Sequence, residues 1–242
     1  MTYKIAERFK SLQGEGVYTG TPMAFIRFCG CSVGKTICQH CDTDFDTPMP
    51  WRGGGEFTAL ELRKWVGEYE HVCLTGGEPL DTCNDTFFMQ WRAAVGSCVT
   101  HFHIETSGTK PFERLREQSL GVFSSWVCVS PKPGFLEDVV MAADEVKVIV
   151  PGLGEINEKN PKHWDLSVNT SALGIAGTGV LKHWPTLADA LRWAAAGKTV
   201  FLQPRNSKNE IDKTNLMYVM DLLRDHPQLR LSSQMHKILK VQ

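Results

Sequence analysis

The stretch Met23–Cys41, MAFIRFCGCSVGKTICQHC, decides how this chain is read. Its first six residues, Met23–Phe28, are apolar or aromatic apart from Arg27, which predicts a buried strand. Cys29, Cys31, Cys38 and Cys41 follow directly, in a loop whose glycines, Gly30 and Gly34, permit sharp turns. Thiolates are soft ligands suited to zinc or to iron–sulfur clusters. Two fillings compete. Four thiolates close a structural zinc site; three would leave one iron of a 4Fe–4S cluster open, the position that catalysis requires. Spacing alone leaves both open.

Working outward, further short apolar runs at His71–Leu74, His101–Glu105, Trp126–Val129, Glu145–Val150 and Thr199–Leu202 also read as strands. Helices are predicted between them. Thr58, followed by Glu61, forms a capping-box pattern, and Thr86–Val95, Pro111–Gln118, Leu187–Ala196 and Thr214–Arg224 are amphipathic. Strand–helix alternation implies a mostly parallel α/β sheet, with chemistry at the loops that follow the strand ends. Two stretches break the alternation: Thr47–Gly55 (TPMPWRGGG), a loop insertion near 47–57, and Gly152–Pro185, which has no clear period and opens a segment near 152–196 that no motif matches. A single domain over 1–242 is expected. The 242 residues carry a formal charge of −1, without the basic surplus that nucleic-acid binding needs. Lys4, Glu7, Arg8 and Lys10 make the first ten residues unlike a signal peptide, and there is no long apolar run, so a cytoplasmic protein off the membrane is expected.

A second signal comes from Leu74-Thr75-Gly76-Gly77-Glu78-Pro79, again after a strand, where glycines let a bound group approach the backbone. The cysteine loop after the first strand and this turn after a later one together resemble the radical S-adenosylmethionine (SAM) superfamily, which implies a partial (β/α) barrel. Narrower motifs occur in order: Phe9–Gly16 (FKSLQGEG), Arg27, Cys41-Asp42-Thr43, Glu105–Thr109 (ETSGT), Ser130-Pro131-Lys132, Gln203-Pro204 and Arg230–Lys237 (RLSSQMHK). On these the chain resembles the 7-carboxy-7-deazaguanine synthases over 3–150 and 199–242. It departs from them in a Cys31-x6-Cys38-x2-Cys41 spacing where Cys-x3-Cys-x2-Cys is common, in the extra thiol Cys29, and in Met235 where a Thr is usual.

The resemblance implies a lyase of queuosine-type 7-deazapurine biosynthesis. It would convert 6-carboxy-5,6,7,8-tetrahydropterin to 7-carboxy-7-deazaguanine by hydrogen abstraction at C6, ring contraction and loss of ammonia. It also implies a 4Fe–4S cluster on Cys31, Cys38 and Cys41, and Mg²⁺ on Thr43. SAM would lie against His40, Cys41, Asp42, Gly77, Glu78, Glu105, Ser130, Pro131, Lys132 and Gln203. The pterin would lie against Leu12, Gln13, Gly14, Arg27, Thr75 and Gln242, with Arg27 on its carboxylate because a planar fork suits that group. No side chain is assigned as a catalytic acid or base, since the cofactor carries the hard chemistry. An electron donor such as a flavodoxin and a homodimer are implied as partners. Glu78 and Glu105 have equally good structural uses, as a helix cap and in strand-end pairing.

Other features read more plainly. Cys73, Cys83, Cys98 and Cys128 are dispersed and read as small buried hydrophobes. His101 and His103 share a strand face; zinc is conceivable there, but packing accounts for such a pair. Two other functions are weighed against the synthase. A glycyl-radical activase would use the same cysteines but gives no role to Arg27 or Leu12–Gly16, and a non-enzymatic zinc module would use all four loop thiols. A cluster protein is brown, a zinc protein colourless.

Overall fold

In a computed structural model, residues 1–38, 41, 43–94, 100–112, 123–151, 180–181, 184–206 and 210–240 are described. The strands are β1 (Tyr3–Leu12), β2 (Pro22–Phe28), β3 (Gly55–Phe57), β4 (His71–Gly76), β5 (Thr100–Thr106), β6 (Phe123–Val129), β7 (Phe135–Leu136), β8 (Glu145–Val150), β9 (Val180–Leu181), β10 (Thr199–Pro204) and β11 (Arg230–Leu231). The helices are α1 (Ala59–Val66), α2 (Asp85–Ala93), α3 (Glu137–Ala142), α4 (Leu187–Ala195), α5 (Lys213–Asp225) and α6 (Met235–Leu239). Nine strands form one sheet in the order β11-β10-β8-β6-β5-β4-β2-β1-β3. Along this sheet from β2 to β11 the pairings are parallel, and β1 lies antiparallel to both β2 and β3; β7 and β9 pair antiparallel apart from it. Among the described residues the sheet ends at β3 and β11, so the barrel they form is partial and open.

Strand alternation sorts the residues into two faces. Val72, Leu74, Phe102 and Ile26 pack with Leu62, Val66, Phe87 and Trp91 of α1 and α2. Val127, Val146, Val148, Val200 and Leu202 pack with Val139, Ala190, Trp193 and Val219 of α3, α4 and α5. All these helices therefore lie on one face. The alternate residues, Arg27, Thr75, Glu105, Lys147 and Gln203 among them, point to the opposite face, where the site is built. Helix starts follow local chemistry. Thr58 Oγ1 accepts from Glu61 N at 3.2 Å while Glu61 Oε2 accepts from Thr58 N at 2.8 Å, and Thr186 and Asp189 repeat the device at α4.

The expected strands are present, most of them longer by one to three residues. β1 was not anticipated: its register shifts between Ile5 and Glu7, which breaks the alternation, and Glu7 faces the polar side. The stretch Thr47–Gly55, read as a loop, contains a 3₁₀ turn at Pro50–Arg52 and leads into β3, because Tyr3–Ile5 offers it an unpaired edge. The helix expected at Pro111–Gln118 and most of 152–196 lie outside the described residues. Among the described residues no helix is long and apolar enough to cross a membrane.

Candidate active site

The cysteine loop leaves the end of β2 and is docked on the turn after β4. Glu78 N donates to Gly30 O at 3.1 Å and Ser32 N to Asp81 Oδ2 at 2.7 Å. The contact is so close that a Cβ on Gly77 would lie 2.0 Å from Gly30 O and 2.5 Å from Cys31 Cβ. Only glycine fits there. The two motifs, separate in sequence, are thus one structural unit. Cys31 and Cys38 are half-buried and Cys41 exposed. Burial raises the Cys38 thiol above the ordinary value; Lys132 opposes the rise, and Cys41 and Cys31 add to it. Three thiols therefore act on one another across the loop. Cys29 stands apart: burial raises it, and its charged neighbours are Lys4 and Asp46.

Among the described residues no three His, Cys, Asp or Glu side chains are arranged to hold a metal ion as they stand. The donor set nevertheless fits an iron–sulfur cluster: three soft thiol donors on one loop, Cys38 feeling both of the others and the Lys132 ammonium. Lys132 Nζ donates to Ser130 O at 2.8 Å and Ser130 Oγ at 2.7 Å. Burial lowers its pKa, while Cys38 favours its charged form. Gly77 therefore lies against Cys31, and Lys132, held by Ser130, acts on Cys38. His40, Asp42 and Gln242 lie outside the described residues.

Glu78 takes up the capping use weighed for it. It is fully buried. One oxygen accepts from Leu80 N at 3.1 Å and Thr106 Oγ1 at 2.7 Å; the other accepts from Ser107 N at 2.8 Å and from Ser107 Oγ. A carboxylate offers about four acceptor sites, so in this arrangement Glu78 caps the 3₁₀ turn Pro79–Asp81 and ties the ends of β4 and β5 together.

Beside the loop lies a cavity of about 400 Å³. Its lining brings together Leu12, Gln13, Gly14, Arg27, Thr43, Thr75 and Glu105, all expected at the site, and adds Glu7, Glu15, Arg52, Lys147, Gln234 and His236, which were not. Its two ends have opposite character. On β5 and β8, Lys147 Nζ pairs with Glu105 Oε2 at 3.0 Å and with Glu15 Oε2. Gln13 Nε2 donates to Glu105 Oε1 at 3.3 Å, and Gln234 Nε2 to Glu15 Oε1 at 2.8 Å. Gln203 is buried beside Glu15, its Nε2 on Glu15 Oε1 at 3.3 Å and its Oε1 receiving Ser232 Oγ at 2.9 Å. Burial would raise Glu15, but the Lys147 ammonium and the bonds from Lys147 and Gln234 bring it down to about 2. On β1 and β2, the arrangement is inverted. Glu7 Oε1 accepts from Arg27 Nε at 2.8 Å and Glu7 Oε2 from Arg52 Nη1 at 3.1 Å. Sheet order puts β4, with Cys73 and Thr75, between the two ends.

Lys147 is marked in the sequence as a charge set between Val146 and Val148 of a buried strand. Earlier along the same sheet face, His71 Nδ1 lies 2.9 Å from His103 Nε2, and Tyr18 packs edge-on to His103 at 4.5 Å. Burial, then His71 and His101, push His103 down to about 3, which favours a neutral, packed ring. Cys73, Cys83 and Cys128 are buried, also as expected.

Comparison with known proteins sharpens this geometry. No family model matches the chain. It is 31% identical over 243 residues to the 7-carboxy-7-deazaguanine synthase of Bacteroides thetaiotaomicron, covering 100% of both chains. It is 30% identical over 258 residues to that of Burkholderia multivorans, again with 100% of both covered. With that of Nitratidesulfovibrio vulgaris it shares 34% over 219 residues, 81% of this chain and 92% of the relative. The fold is matched by the crystal structure of QueE from Escherichia coli at a TM-score of 0.55 and 22% identity, over 96% of this chain and 94% of that one. Full-length identity at this level, with the cysteine loop seated on the Gly77 turn, places the chain in the 7-carboxy-7-deazaguanine synthase family.

Proposed function

We propose that this chain is a radical SAM lyase that converts 6-carboxy-5,6,7,8-tetrahydropterin to 7-carboxy-7-deazaguanine, in one domain spanning 1–242. The carrying observation is the polarity of the cavity beside the thiol loop: cationic at Arg27, anionic at Glu15 and Glu105, with Thr43 on its wall. Arg27 presents the guanidinium edge not used by Glu7 to the substrate carboxylate. At the far end Glu15, kept ionised by Lys147, together with Glu105, accepts hydrogen bonds from the N–H groups of the pyrimidine edge. Phe9 and Phe25, stacked at 4.9 Å, give the ring an apolar wall. Cys31, Cys38 and Cys41 would hold a 4Fe–4S cluster and Gly77, Ser130 and Lys132 would flank SAM; when bound, these supply the one-electron chemistry for hydrogen abstraction. Thr43 would give Mg²⁺ one oxygen, leaving most ligands to water and substrate. A flavodoxin-type electron donor, a homodimer and a cytoplasmic setting belong to the same proposal and rest on the family resemblance.

The test is incubation of anaerobically reconstituted protein with SAM, reductant and the carboxy-tetrahydropterin, with product mass as the readout. Appearance of 7-carboxy-7-deazaguanine is expected; unchanged substrate with an intact brown cluster would refute the assignment. Ligand identity is checked separately. Cys31→Ala, Cys38→Ala and Cys41→Ala should each lose iron, and Cys29→Ala should keep it, because removing a ligand costs metal affinity directly. Iron loss in Cys29→Ala with retention in Cys31→Ala would shift the register.

A further inference from the structure

We propose that Arg52 is a second substrate-binding guanidinium, which grips the pterin carboxylate together with Arg27 while Glu7 holds the two side by side. The proposal rests on the reading of the Arg27 end as the carboxylate pocket. It accounts for the Thr47–Gly55 stretch, to which the family motifs give no role.

The loop is built to reach the cavity. Met49 N donates to Ala6 O at 2.8 Å, and Arg52 N and Gly54 N both return to Met49 O at 2.9 Å. A Cβ on Gly54 would lie 2.2 Å from Ala6 O and 2.4 Å from Met49 N, so only glycine lets the turn lie this close to β1. β3 then fastens the loop by pairing with Tyr3–Ile5. The outcome is that Arg52, at the end of a 3₁₀ turn, reaches a carboxylate that is itself buried. Glu7 gives one oxygen to each arginine, at 2.8 Å and 3.1 Å. Within this trio two guanidiniums face one carboxylate, an arrangement suited to receiving another anion. Arg27 alone is a partial fork for it: Nε is taken by Glu7, and Nη1 also reaches Gly76 O at 3.5 Å. A carboxylate has about four acceptor sites, more than the remaining edge of Arg27 serves. Arg52 has the freedom to supply the others, with 48% of its side chain exposed against 18% for Arg27.

The experiment uses the full chain, reconstituted and saturated with SAM, and calorimetric binding of two ligands: the carboxy-tetrahydropterin and the same tetrahydropterin without its carboxyl group. Arg52→Ala should weaken the carboxylated ligand by about tenfold, the scale of one hydrogen-bonded charge contact, and leave the carboxyl-free ligand within about twofold. Arg52→Lys should recover part of the loss. Equal losses for both ligands would mean that Arg52 merely shapes the loop, and no loss for either would remove it from the site; either overturns the proposal. Arg27→Ala run in parallel separates the two levels. If it loses discrimination and Arg52→Ala does not, only this proposal falls; if neither loses it, the carboxylate pocket itself is misplaced. Should Arg52→Ala melt early, Arg52→Gln gives the same comparison with the length of the side chain nearly kept.

Discussion

The two ends of the cavity are inverses of each other. At one, the cation Lys147 lies between the carboxylates Glu15 and Glu105; at the other, the carboxylate Glu7 lies between the cations Arg27 and Arg52. The difference that matters is water. The central charges are alike, Lys147 6% and Glu7 8% exposed, but one flank of the basic end, Arg52, is 48% exposed, far more than Glu15 or Glu105. Charges removed from water must be paired or the fold suffers, while charges at a half-open rim contribute little to folding and remain available to a ligand. The acidic end is therefore framework throughout, while at the basic end the half-open Arg52 remains available to a ligand.

The largest effect expected from this contrast is at Lys147. Lys147→Met removes the ammonium and leaves Glu15 and Glu105 buried against each other. Breaking a buried pair from one side typically costs ~3–5 kcal/mol, to be read as a lowered denaturation midpoint. A loss below ~1 kcal/mol would erase the distinction between the ends.

Next in size is an acid transition. Glu15 is held at about 2, below its ordinary 4.5. A depressed carboxylate stabilises the fold above its ordinary value, and that contribution is lost as pH falls through the depressed one. Stability of the native chain should thus fall between about pH 4.5 and 2. Glu15→Gln should flatten this part of the profile, and a profile unchanged by Glu15→Gln would show that the pairing with Lys147 is not what holds the carboxylate ionised.

Arg27 comes third and is read in binding rather than stability. Arg27→Lys keeps charge but loses the planar fork, and should weaken the carboxy-tetrahydropterin by about tenfold, with Arg27→Ala weaker still. Iron content should be the same in both, since Arg27 contacts Glu7 and Gly76 rather than the thiols. Unchanged affinity in Arg27→Ala would reduce this end to a salt bridge.

How much of this was legible in the sequence follows from what local spacing can encode. Strands such as Glu145–Val150 and caps such as Thr58/Glu61 depend on neighbours a few residues away, and they were read correctly. The cysteine loop and the Gly77 turn were legible as motifs, although their contact needed the sheet. The two charged trios were not legible. Arg27 and Arg52 are 20 and 45 residues from Glu7, and Lys147 is 42 and 132 residues from its carboxylates. Such partners meet because β1 and β2, or β5 and β8, are placed by sheet order, which no spacing in the chain records. Glu78 lies between these cases: its motif left a ligand and a cap equally open, and its cap on Leu80 N is local while its bonds from Thr106 and Ser107 needed the sheet.

The smallest effect is the most discriminating. Arg52 makes its ion pair with 48% of its side chain in water, and pairs of this kind are usually worth ~0–1 kcal/mol because the charges are screened and ordering the side chain costs entropy. Glu7 keeps Arg27 when Arg52 is removed, so no buried charge is stranded. Arg52→Ala should therefore shift the denaturation midpoint by less than ~1 kcal/mol, several-fold less than Lys147→Met, with the two variants measured in the same buffer. Raising the salt concentration should shrink the Arg52 difference further and leave the Lys147 difference largely intact, because screening reaches the rim and not the buried trio. If Arg52→Ala instead destabilised the chain as much as Lys147→Met, the basic end would be framework too, and the asymmetry between the two ends of the cavity would be lost.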